Sequence, residues 1–226
     1  MRYSILASII LCTLLTSCGK KSKSFLVTEN LKGRVKSLTE SFYPVEEKDG
    51  KLQKGSLWFK TCYKIDENGN KSEWKEYNAD GSLRWKAYSK YENKNRETEC
   101  NGFKENGASD WRSVFKYDEK GNVIEEEEFN PEGRKNFKII FKYNEQGIKC
   151  ERLFYTADGE LYSKSSYTFD DKGNLAEEDV YSPEGTLKAK TVSKYENYDK
   201  AGNWLTQTQY ANDNLAQVTE REIEYY

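Results

Sequence analysis

From residue 35 to the end of the chain, hydrophobic and polar residues alternate with a period of two, and turn sequences interrupt the alternation at regular intervals. Over 123–143 one parity carries Val123, Phe129, Phe137, Ile139, Phe141 and Tyr143. The other carries Glu126, Glu128, Lys138 and Lys142. Such alternation predicts half-buried antiparallel strands, and no helical period competes with it. The intervening turns read Y-D-E-K-G-N at 117–122, Y-N-E-Q-G-I at 143–148 and F-D-D-K-G-N at 169–174, in steps of 26. Further copies stand at 65–70 and, three residues out of step, at 198–203. A fixed period of this size is the signature of a repeat array.

A second turn lies halfway along each unit: N-A-D-G-S at 78–82, N-P-E-G-R at 130–134, T-A-D-G-E at 156–160 and S-P-E-G-T at 182–186. Asn or Asp in the first position can bond its own backbone, and Pro in the second fixes φ. Gly in the fourth supplies the positive φ of a three-residue hairpin loop with a glycine bulge. The spacing predicts two strands of about eight or nine residues per unit. The fold class is therefore all-β, a consecutive antiparallel meander of about 14 strands. An open, curled sheet is expected, with a closed barrel as the alternative; open end strands would need blunting or a partner.

The period also generates columns of equivalent residues. Tyr77, Phe103, Phe129, Tyr155 and Tyr181 form one, continued by Tyr210; Tyr91, Tyr117, Tyr143, Phe169 and Tyr195 form another. Lys86, Arg112, Lys138, Lys164 and Lys190 form a basic column, read as a solvated face. Glu73, Glu99, Glu125, Glu151 and Glu177 form an acidic one, assigned by parity to the aromatic face. Carboxylates on an apolar face are costly unless bonded or wet. They could line an acidic groove for a cation or a basic ligand. Alternatively, neighbouring hydroxyls and turn backbone satisfy them. Identity at every copy favours the second, because binding sites break symmetry. Trp85 and Trp111 share one repeat position and offer stacking platforms for a glycan, or core packing. These two tryptophans and five glutamates are the candidate binding surface.

Composition narrows the class. The chain has 226 residues, a net charge of −2 and 14% aromatic residues. Its mean hydropathy is −0.98. Disordered chains are poor in aromatics, so this one should fold. Both charge signs are interspersed with no basic face, which argues against nucleic acid as a partner. The chain contains no histidine, which removes a Ser-His-Asp triad, a Cys-His pair and ordinary zinc sites. No phosphate-binding glycine motif occurs, so no nucleotide and no cofactor is implied. The D-x-N-G-N sequence at 66–70 has only a faint likeness to a calcium loop, since Tyr77 stands where the bidentate Glu belongs. Five equivalent glutamates do not separate an acid from a base, so an enzyme is not expected. Cys62, Cys100 and Cys150 form no disulfide framework and are expected as thiols.

The first residues read as an address. Arg2 and the apolar stretch 5–15 form a signal-peptide pattern too short to span a bilayer. It ends in L-T-S-C at 15–18, which resembles the lipobox of bacterial lipoproteins. That resemblance implies a lipidated Cys18 and a membrane partner through the acylated N-terminus. Residues 1–18 would be the signal, 19–30 a polar tether and 31–226 the repeat domain. The tether is basic rather than acidic, so the resemblance implies an envelope protein of the outer membrane facing the periplasm.

The turns Y-D-E-K-G-N-V at 117–123 and F-D-D-K-G-N-L at 169–175 resemble the YD repeats of RHS proteins. The region from about residue 31, opening L-K-G-R-V-K-S-L, is similar to small YD-repeat lipoproteins of Bacteroidota. That likeness implies a β-hairpin repeat and leaves the activity unassigned. The large proteins form a shell around a toxin; six units are too few for that, and the second unit is degenerate at Asn95. The expected function is a non-catalytic envelope lipoprotein that binds or scaffolds a protein. The alternatives are glycan binding and an immunity-type protein paired with a toxin.

Overall fold

The computed structural model describes residues 23–226. A single helical turn, α1 (Phe25–Thr28), precedes the strands. These are β1 (Val35–Lys48), β2 (Lys51–Lys54), β3 (Phe59–Ile65), β4 (Lys71–Asn78), β5 (Leu83–Glu92), β6 (Arg96–Lys104), β7 (Ser109–Tyr117) and β8 (Val123–Phe129). They continue with β9 (Lys135–Tyr143), β10 (Lys149–Thr156), β11 (Leu161–Phe169), β12 (Leu175–Tyr181), β13 (Leu187–Tyr198), β14 (Trp204–Ala211) and β15 (Asn214–Tyr225). Every strand from β3 onward pairs antiparallel with its sequence neighbours, as the meander required.

The sheet is not open. β1 pairs with β3 on one side and with β15 on the other, which closes β1 and β3 to β15 into a 14-stranded barrel. The expected open, curled sheet is thereby overturned. Two free edges would leave two rows of unpaired backbone groups, and closure removes both. Their side chains match across the seam: Leu38 faces Ile223, and Glu40 faces Arg221. Arg221 Nη2 lies 2.8 Å from Glu40 Oε1. Only β2 stands apart, as a short hairpin extension of β1.

The turns form as their residues dictate. At 130–134 the Asn130 N–H donates to Arg134 O and the Gly133 N–H donates to Asn130 O, each at 2.9 Å, with Gly133 at φ 77°. One pair beyond the loop, however, the ladder slips: Phe129 faces Lys135, but Glu128 faces Phe137. The bulge adds one residue to one strand, so parity reverses after the first pair. The face assignment drawn from simple alternation therefore fails. Phe129 and its column share a face with the lysines, whereas Glu126 and Glu128 share one with Ile139 and Phe137.

The turns at 66–70, 118–122, 144–148, 170–174 and 199–203 gather at one end of the barrel, where residues 23–34 run across them. Leu26 N–H donates to Gly69 O, and Lys23 Nζ to Gly147 O. Asn30 Nδ2 donates to Lys172 O and Asn174 Oδ1. The Asn203 side chain accepts from Lys32 N–H and donates to Lys32 O. Beneath this strap sits the apolar core of Leu31, Val35, Leu38 and Ile65, with Phe25, Leu26, Tyr63 and Ile223 against it. Tyrosines tie the same end together. Tyr91, Tyr117, Tyr143 and Tyr195 each donate to a carbonyl twenty residues back, at 2.7–2.9 Å. At the opposite turns a Cβ placed on Gly81, Gly133 or Gly185 would meet nothing within 4 Å, and no strap crosses that end among the described residues.

Candidate functional site

The barrel interior is the candidate site. Residues opposite each other in a ladder share a face, so the inward set can be traced from the core outward. Leu38 faces Tyr63, Tyr63 faces Trp74, Trp74 faces Ala87, Ala87 faces Gly102, and Gly102 faces Trp111. On the far wall Phe115 leads in the same way through Glu126, Ile139 and Phe154 to Ser163. Fourteen strands closed at ordinary spacing and tilt give a backbone radius of about 14 Å, more than inward side chains fill. Ile139, Phe154 and Val180 accordingly stay only half-buried although they face inward. The interior is a lumen, not a packed core.

Its lining has two sides. From β4 to β10 it is aromatic. Trp74, Trp85 and Trp111 meet edge to face, with centroids 4.5–6.4 Å apart. Phe137 and Phe154 lie 5.3 Å apart further round. Gly102 makes room for this cluster: a Cβ there would come within 2.2 Å of Trp111 Cε2. From β11 to β15 the lining is hydroxyl and amide: Ser163, Thr191, Ser193, Gln207, Gln209 and Thr219. Gln207 Nε2 donates to Ser193 Oγ and Tyr195 Oη, and Gln217 Nε2 to Gln209 Oε1.

Charged groups lie deeper, towards the strap. Arg221 pairs with Glu40, Arg152 with Glu178 and, at 3.9 Å, Lys71 with Glu97. Lys149 lies over the Phe141 and Tyr167 rings, and burial pulls its ammonium down. Burial also pushes up the Glu126 carboxyl, which accepts from Ser113 Oγ. Glu29, carried by the strap, is exposed. Burial and Glu40 raise its pKa against Arg221, Lys149 and Lys71, groups from separate strands.

The sequence-derived site residues separate between the two faces. Trp85 and Trp111 face inward and are half-buried. Glu73, Glu99, Glu125, Glu151 and Glu177 face outward, each in an ion pair: Lys64 and Lys75, Lys90 and Arg112, Lys116, Lys142 and Lys164, and Lys190 respectively. Asn101 and Lys90 hold Glu99 down at about 2. This ladder takes in Arg112, Lys164 and Lys190 of the basic column, and it puts charge at mid-strand around the outer wall. An outward apolar band would be needed for lipid contact, and charge at a bilayer midplane costs about 2–4 kcal/mol per cation. Among the described residues no helix is long and apolar enough to cross a membrane. Cys18 and its lipobox lie outside the described residues.

Sequence reasoning missed the polar lining, the inward charges and the strap. One signal was present. Although the outward positions 75, 101, 127, 153 and 179 read Lys, Asn, Glu, Leu and Asp, several outward columns keep a residue type: the aromatic column beginning at Tyr77, the glutamates and the basic column. Most inward columns do not: positions 85, 111, 137, 163 and 189 read Trp, Trp, Phe, Ser and Ala. Positions 74, 100, 126, 152 and 178 read Trp, Cys, Glu, Arg and Glu. The calcium-like loop is occupied by its own turn, Asp66 Oδ1 accepting from the N–H groups of Asn68 and Asn70.

No protein-family model matches the chain, nor does any curated protein sequence. The likeness to YD repeats thus rests on the turn residues alone. Solved structures that align with it include a porin-like protein from Bacteroides uniformis, at 12% identity and a TM-score of 0.49, covering 85% of this chain and 98% of that one. A LolA superfamily protein from Nitrosomonas europaea aligns at 12% identity and a TM-score of 0.35, over 86% and 87%. A DUF1329 family protein from Desulfovibrio piger aligns at 12% identity and a TM-score of 0.33, over 84% and 86%.

Proposed function

We propose that this chain is a non-catalytic binding protein of the bacterial envelope whose lumen receives a ligand through the open end. One observation carries the reading. Within a repeat that keeps outward aromatic, glutamate and basic columns, most inward columns change residue type from strand to strand, and a binding site, unlike a scaffold, must break symmetry. The address rests on the sequence: a lipidated Cys18, on the outer membrane and facing the periplasm. Cys18 lies five residues before Lys23, whose backbone and ammonium hold the strapped end. The anchor would turn that end to the membrane and the open end away from it.

The test blocks the lumen. The protein, its T191W/S163W variant with both changes inward, and a V192W control on the outer wall are each incubated with envelope extract, washed, and analysed by mass spectrometry for retained small molecules. The reading expects a compound retained by the wild type and the control and lost from the blocked variant. Equal retention by all three sinks it.

A protein-binding reading keeps one support. Closure removed the free sheet edges that such a partner would have augmented. An outward collar of Tyr77, Phe103, Phe129, Tyr155, Tyr181 and Tyr210 nevertheless rings the open end, backed by Leu83, Leu161, Leu187 and Leu215.

A further inference from the structure

The lining constrains what the lumen can hold, given that it is the binding site. A long acyl chain needs a continuous aliphatic wall; here Ile139 lies between Glu126 and Phe154, and Val180 between Ser165 and Ala189. Against the arc from β11 to β15, hydrocarbon would strip water from Ser, Thr and Gln groups and offer no bond in return, which is costly. An ion of either sign gains little, because most deep charges are already engaged: Arg221 pairs with Glu40, Arg152 with Glu178 and Lys71 with Glu97, Glu126 accepts from Ser113 Oγ, and Lys149 lies over the Phe141 and Tyr167 rings. The same pairing holds nearer the open end, where Arg84 lies 2.6 Å from Glu76.

What remains is a molecule with an apolar face and a hydroxyl-rich edge, and no net charge. Pyranose rings have that anatomy: axial C–H groups stack on aromatic rings, while equatorial hydroxyls exchange hydrogen bonds with amides and hydroxyls. The indole cluster supplies the first contact. Gly102 in β6 lets Trp111 fold against the wall, and Trp74 Nε1 is a buried donor with no acceptor in the protein. Gln209 and Thr191 on the facing arc supply the second.

We infer that the lumen binds a neutral oligosaccharide, its sugar faces on Trp85 and Trp111 and its hydroxyls towards Gln209 and Thr191. The chemistry fixed is a neutral polyhydroxylated chain.

The experiment titrates the protein with maltohexaose, cellohexaose, xylohexaose and mannohexaose by calorimetry and tryptophan fluorescence, with palmitate and lysophosphatidylcholine as comparison probes. At least one hexasaccharide should bind and change the indole emission. W111A and Q209A should each weaken it by about tenfold or more, the scale of one lost central contact. V192W, on the outer wall, should bind as the wild type does, and circular dichroism checks that each variant is folded. No heat with any hexasaccharide overturns the inference whatever the lipids do. Lysolipid binding abolished by T191W/S163W would overturn the sugar assignment and leave the lumen standing. If, in addition, the blocked variant retained the same envelope compounds as the wild type, the lumen reading would fall with it.

Discussion

Gly102 and Gly133 are both glycines in hairpins, but for different reasons, and the difference is measurable. Gly133 sits at φ 77° with open space where a Cβ would go, so an alanine there meets only backbone strain. Gly133→Ala should cost about 1 kcal/mol in thermal unfolding and leave the fluorescence unchanged. Gly102 is limited by the Trp111 ring. Gly102→Ala should cost about 1–3 kcal/mol, the range for overpacking, and should shift the indole emission because Trp111 must move. Titratable residues divide in a similar way. Glu99, held at about 2 against an ordinary 4.5, contributes stability that is present above 4.5 and lost as pH falls towards 2. Glu99→Gln should therefore flatten the acid limb of a stability–pH curve over that window. Glu126 has the opposite sign. Its raised folded pKa favours folding at low pH and loses that contribution as pH climbs above 4.5 towards the folded value. In Glu126→Gln this decline should vanish. At this scale the sequence was legible wherever backbone chemistry decides, as in the Asp-x-x-Gly turns. It was illegible at the bulge, a one-residue slip that simple parity cannot contain, which is why the Glu99 column was placed on the aromatic face.

Among the elements, the strands and their order were legible from period and turn spacing, and the strap was not. Residues 19–30 read as a polar tether because the contacts that hold 23–34 to the turns are mostly polar, from backbone N–H groups and the Lys23 and Asn30 side chains, with Leu26, Leu31 and Phe25 supplying a small apolar anchor. Nothing in local pattern marks so short a segment as a lid. The anchor can be tested on its own. Leu31 is 7% exposed, and Leu31→Ala should cost about 2–3 kcal/mol locally, towards the lower end of buried leucine truncations. Hydrogen exchange should then speed up at the Leu26 and Lys32 amides while those of β8 to β11 stay protected. Uniform loss of protection would mean that the strap is integral to the barrel rather than laid across it.

For the whole molecule, closure is the property that local pattern could not carry. It depends on how many twisted strands accumulate before the two edges meet, and on the match of Leu38 with Ile223 and Glu40 with Arg221 across the seam. Arg221 is 7% exposed in its side chain and lies over the Trp204 ring as well as against Glu40, so it locks β15 to two neighbours. Arg221→Ala should leave Glu40 without its partner, costing about 3–5 kcal/mol. Light scattering should then detect association through the freed strand edges; a monomer of unchanged stability would show that the seam does not depend on this pair.

The 26-residue unit adds two strands and returns the chain to the end it left. Removing or duplicating one whole unit would thus keep the strand count even and the seam antiparallel, and would leave each remaining turn at its own end. By strand spacing and tilt, the bore would change by about 2 Å in radius per unit. Removing half a unit would instead bring the last strand to the seam running the wrong way. A chain built like this has a gauge: the width of what it can hold is set in whole steps by counting hairpin pairs, independently of the residues that line it.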